Sequence, residues 1–188
     1  MGFSKPGLIK ATTAGMVGGV VGVFAMTALQ LLTDALSGSA QLQAVRELSQ
    51  RGGRHDIASL KKRARRSGRQ QRDATVLAAE WVTQLAWERS LDTQRQHAGG
   101  MAVHYAFGAA VGGAYGCATE AFPVTPTRGG VSLGIAVWLF GEELALPVLR
   151  LTGPPSSYAV RDHVNALASH VLFGITTAAV TARIKSRL

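Results

Sequence analysis

The sequence predicts an all-α polytopic membrane protein, four transmembrane helices arranged as two helical hairpins, with a basic cytoplasmic helical insertion. Three observations carry this. Hydrophobic residues make up 47% of the 188 residues, yet the net charge is +9. Four windows are nearly free of charged side chains. Within them, small residues recur every fourth position.

The windows set the elements in order. Residues 11–33, 98–119 and 163–182 contain no Asp, Glu, Lys or Arg, and 129–149 contains only Glu142 and Glu143. Each is close to the ~20 residues that cross a ~30 Å hydrocarbon core as a helix. The expected organisation is a first transmembrane helix in 1–36, a basic insertion in 37–97, and three further spans in 98–188 at 98–119, 129–149 and 162–183. Lys5, Lys10 and the small residues at 38–40 give the first segment some character of a signal peptide, but its apolar run exceeds the usual h-region of about 7 to 15 residues.

The insertion holds most of the charge. Residues 51–72 carry nine Lys or Arg against the single acid Asp56. At its centre Lys61, Lys62, Arg63, Arg65 and Arg66 suit anionic lipid headgroups, each basic side chain near the surface contributing about 1 kcal/mol. Nucleic acid is a poor partner for them, because no aromatic side chains are interleaved for base stacking. QLQAVRELSQ predicts a helix ended by Gly52 and Gly53. Asp73 could cap a second, in which Leu77, Trp81 and Leu85 form one apolar stripe for the membrane surface or a partner. Four alternating spans place 14 Lys or Arg on the insertion's side and six on the other. The basic side is then cytoplasmic and both termini lie outside, with Arg183, Lys185 and Arg187 opposing.

HYAFG at 104–108 and HVLFG at 170–174 suggest a duplication. Aligning His104 with His170 sets Gly108, Gly112 and Gly116 on Gly174, Ala178 and Ala182. Less strongly, Gly15 and Gly19 fall on Gly130 and Gly134, and Thr27 on Glu142. Such small-residue seams let helix backbones approach in lipid, within one chain or across a homo-oligomer.

Ionisable residues inside spans are rare and costly. Glu142 and His170 lie at similar distances from the basic side, and His104 joins them. Thr27 and Gln30 reach that depth from the first span, while His163 lies one heptad before His170. Glu142 and Glu143, being adjacent, point about 100° apart on an α-helix. Only one of them is expected to face the interior, the other pairing with Arg150 or a backbone group. Three readings fit the layer: a hydrogen-bonded packing network, a proton or cation site, since imidazole titrates near neutrality, or a haem or divalent-metal site at His104 and His170. Conventional catalysis fits poorly, for there is no GxSxG, Walker loop, dinucleotide fingerprint, zinc ribbon, HExxH or CxxCH. The lone Cys117, in an apolar run, is expected to be a packing residue.

The segment VWLFGEELALPVLRLTGPPSSYAVRDHVNALASHVLFG, with the preceding HYAFGAAVGGAYG, resembles a group of small bacterial inner-membrane proteins, the YagU-like proteins. The resemblance spans residues 98–182 and the first span weakly. It implies a multi-pass protein of the bacterial plasma membrane and marks Trp138, Glu142, Glu143, Pro147, His163 and His170 as motif positions, with no chemistry attached. The functional expectation is an accessory protein handling protons or cations through the His/Glu layer. The alternative is a scaffold or assembly subunit of a larger membrane complex.

Overall fold

The computed structural model describes residues 5–50, 93–122, 126–150, 152 and 154–187. The basic cluster Lys61–Arg66 and the amphipathic helix expected after Asp73 lie outside the described residues. Those described are helical, with no strand among them. Helix α1 spans Lys5–Gln50, α2 Thr93–Ala121 and α3 Pro126–Ala136. The chain passes from α3 into a π-helix, Val137–Ala145, and a last α turn, Leu146–Val148. A 3-10 turn at Pro155–Ser157 precedes α4, Val160–Lys185.

Helix α1 continues past residue 36, while its apolar span, Gly7–Gly38, ends close to the expected boundary. Between Thr33 and Gln50 Gly38 is the single glycine and no proline intervenes, so the segment 41–50 continues the helix. Its 46 residues extend about 69 Å, far beyond one hydrocarbon core. Pro126, whose missing N–H is harmless in a first turn, starts α3. Asp162 accepts the Ala159 N–H at 3.3 Å at the start of α4.

Among the described residues, three helices are long and apolar enough to cross a membrane: Gly7–Gly38, Arg128–Val148 and Val160–Lys185. The second expected span falls in α2, which is not among them because glycines, His104, Tyr105 and Tyr115 dilute its apolar content.

Helix α1 packs against α2 and α4, and α4 also packs against α3. All three pairs are antiparallel: Gly15 meets Gly112 and Gly116 while Gly19 meets Gly108, Gly18 meets Thr177 and Thr181 while Gly22 meets Phe173, and Gly130 meets Gly174 while Gly134 meets His170. Direction therefore alternates along the chain, and α1 and α4 form the centre. The interior is small, with Ala11, Ala14, Thr177, Ala178 and Thr181 buried and only Val23, Met26 and Phe173 forming a cluster of larger side chains. The large side chains, including Phe24, Leu31, Phe107, Phe140 and Val164, point outward. That inversion suits a lipid solvent, where close backbone packing rather than hydrophobic burial holds helices together.

Helix α1 carries two glycine edges within GMVGGVVG: Gly15 and Gly19 toward α2, Gly18 and Gly22 toward α4. Opposite Gly18 and Gly22, the Thr177 and Thr181 hydroxyls donate to the carbonyls of Phe173 and Thr177, both at 2.7 Å, so no polar group is orphaned there.

The antiparallel pairs α1–α2 and α3–α4 use the same device in a different register. A Cβ on Gly108 would strike Val23 and the Gly19 carbonyl, and one on Gly174 the Gly130 carbonyl and the Gly134 backbone. With His104 set on His170, Gly130 matches Gly19 and Gly134 matches Val23. The sequence alignment that paired Gly15 with Gly130 is thus one helical turn out. Small residues every fourth position make such slips indistinguishable without contacts.

At the end bearing the α1 N-terminus, Lys185 bonds Glu120 at 2.5 Å and Thr119 at 3.3 Å. Both ionic partners are roughly 30% exposed. Glu120→Ala is expected to lower stability by less than about 1 kcal/mol, measurable by equilibrium denaturation in detergent.

Candidate functional site

The opposite end gathers the ionisable side chains. Pro147 shapes it: proline donates no N–H, and its ring collides with the carbonyl of the residue four before it in an α turn. A π register over Val137–Ala145 widens that turn, and Leu146 N–H bonds the Gly141 carbonyl, five residues back. Arg150, at φ 58°, then turns the chain out of the helix. Runs of π-helix are uncommon and concentrate at functional sites.

Instead of diverging as expected, Glu142 and Glu143 both face α4. Glu143 Oε1 lies 2.6 Å from His163 Nδ1, and Glu142 Oε2 lies 3.4 Å from His170 Nδ1. Antiparallel packing explains the pairing, since Glu142 is deeper in its helix and His170 is seven residues deeper in α4. The two histidines are about 10 Å apart along the axis.

Hydrogen-bond chemistry distinguishes the pairs. His170 Nδ1–H donates to its own helix, to the Ala166 carbonyl at 2.8 Å, so Glu142 sits beside it at ion-pair range without taking that proton. His163 is held between two partners: Nδ1 faces Glu143, and Nε2 faces the Pro155 carbonyl at 3.0 Å. A carbonyl only accepts, so Nε2 carries hydrogen. The 2.6 Å contact then needs a second proton, on Nδ1 or on the Glu143 carboxyl. Whichever atom holds it, the pair closed in this geometry is protonated and neutral overall. The Tyr158 ring packs edge-on against His163 at a centroid distance of 6.2 Å.

His104 is half-buried on α2. Of the residues expected in the layer, the structure brings Glu142 beside His170 and Glu143 beside His163. Thr27 and Gln30 are half-buried on α1 and, among the described residues, neither side chain hydrogen-bonds to the cluster. Pro155 and Tyr158 belong to the site but carry no ionisable signal near neutrality, so only the fold reveals them. The haem or metal alternative rests on His104 and His170, for among the described residues no group of three or more His, Cys, Asp or Glu is placed to hold a metal ion.

Trp138, also in the π segment, buries its indole Nε1–H without a hydrogen-bond partner among the described residues. Such an orphan typically costs about 1–3 kcal/mol.

No curated protein and no solved structure matches the chain. One family model, described as "Protein of unknown function (DUF1440)", matches residues 77–179. That match runs through α2, α3, the π segment with both glutamates, the Pro155 turn and most of α4, and leaves α1 outside. With more than half its length, including every residue of the His/Glu cluster, covered by that model, the chain belongs to the DUF1440 family.

Proposed function

We propose that the protein is an accessory membrane protein of four spans whose His/Glu layer takes up and releases protons from the side bearing the basic insertion. The observation that carries this reading is His163 between two acceptors, a geometry that requires one more proton than a neutral imidazole and a carboxylate supply. His163 is three residues beyond the start of α4, so the pair sits near the aqueous boundary. Glu142, His170 and His104 continue inward from it. Below them, Gly18 and Gly22 close on Phe173, Thr177 and Thr181. The path is therefore one-sided, which suits delivery of protons to a site within the membrane. The positive-inside rule and the YagU-like motif support placing the basic side in the cytoplasm of a bacterial inner membrane.

A pH jump on protein reconstituted in liposomes, with a dye counting protons released to bulk, tests this. The wild type is expected to exchange at least one proton per chain more than Glu143→Gln, and Glu142→Gln and His170→Ala are expected to alter the rate. Identical exchange in all four, with the same proteins co-purifying, would favour a scaffold role in which the layer only fixes helix packing.

A further inference from the structure

We infer that the turn Pro154–Tyr158 is a proton-controlled lid on the cluster, held shut by the Pro155 carbonyl only while the Glu143–His163 pair keeps its proton. The inference rests on the proton-handling reading above and adds what the proton regulates.

Imidazole without the extra proton has one N–H and one lone pair. It can satisfy one of two acceptors, and the other contact becomes lone pair against lone pair. The choice is decided by strength. A hydrogen bond to a carboxylate is charge-assisted and about twice as strong as one to a neutral carbonyl. His163 therefore keeps its hydrogen on Nδ1 toward Glu143 and turns a bare Nε2 to the Pro155 oxygen. The proton leaves to water, the pair becomes a neutral imidazole beside a carboxylate, and the bond to the turn is lost.

The turn is built to respond as a unit. Pro154 and Pro155 fix successive backbone angles, and Ser157 ties its N–H and its hydroxyl to the Pro154 carbonyl at 2.9 and 2.6 Å. Two of its contacts with α4 meet at His163, through the Pro155 carbonyl and the Tyr158 ring. The ionisable groups facing His163 are Glu143 and Glu142 from the π segment and Tyr158 from the turn itself. On α4, Asp162 is engaged at the helix start with the Ala159 N–H, and His170 lies two turns away.

A spin label at Ser156→Cys in a Cys117→Ala background reads the turn, and the isotope-edited infrared band of the Glu143 carboxyl reads the pair, both across pH in liposomes. The expected result is an immobile label at acid pH that becomes mobile as the pair loses its proton. Two variants should behave oppositely. In Glu143→Gln the amide can donate to Nδ1 while Nε2–H stays on Pro155, so the label remains immobile throughout. In His163→Ala both contacts to the imidazole are gone, and the label is expected to be more mobile than in the acid wild type and to show no pH dependence. A proton that titrates while the label stays unchanged overturns the lid and leaves proton handling intact. A pair that never titrates overturns both.

Discussion

A methyl group added at Gly19 should unseat α2 from α1, whereas the same methyl added at Gly38 should strengthen the same helix. A Cβ at Gly19 would collide with the Gly108 carbonyl oxygen and lie 2.8 Å from its carbon and 3.1 Å from the Gly112 Cα. These are backbone atoms, so only separation of the two helices relieves them. Overpacking of this kind costs about 1–3 kcal/mol or more. Separation would also weaken the contacts at Gly15, Gly112 and Gly116 along that seam. At Gly38 nothing lies within 4 Å, and Gly→Ala there gains about 0.8–1 kcal/mol of helix propensity. Thermal unfolding in one detergent should lower the midpoint for Gly19→Ala and leave it unchanged or raised for Gly38→Ala. Equal shifts would mean that the α1–α2 seam is not the packing surface.

Glu143→Ala and Glu143→Gln should differ in stability while agreeing in proton exchange. The glutamine amide can donate to His163 Nδ1 and preserve the bond from Nε2 to Pro155, but it holds no exchangeable acid. It should stay within about 1 kcal/mol of the wild type and lose the pair's proton. Alanine leaves one end of a half-buried imidazole unsatisfied, a loss of about 1–3 kcal/mol. Denaturation midpoints and proton counts on the same preparations check both halves. A glutamine variant that still exchanges the proton would remove Glu143 from the mechanism.

Much of this molecule is legible in its sequence, for identifiable reasons. Windows free or nearly free of charge fall in all four long helical segments, because a lipid solvent excludes charge. His170 and Glu142 share a depth that counting residues from Arg150 and Arg161 recovers. What fails does so where geometry departs from the ideal α-helix. The 100° azimuth between Glu142 and Glu143 presumes an ideal α turn and does not say where two long side chains end, and both reach α4. Register between α3 and α4 is not written in a string of glycines and alanines, since a slip of four residues preserves the pattern. The second glycine edge of α1, Gly18 and Gly22, is present in GMVGGVVG, yet choosing which edge faces which helix requires the fold. Nothing in the spelling of PPSSY indicates that the Pro155 carbonyl accepts a hydrogen bond from a histidine eight residues later.

The central claim is that Glu143 and His163 share an exchangeable proton. Nitrogen-15 solid-state NMR of histidine-labelled protein in lipid, with His163 assigned by its loss in His163→Ala, measures this most directly. At acid pH the account predicts hydrogen on Nε2 and a second proton on Nδ1 or shared with Glu143, released in a single step as pH rises and absent in Glu143→Gln. Two unchanged His163 nitrogens across that range, or the same transition in Glu143→Gln, would contradict it.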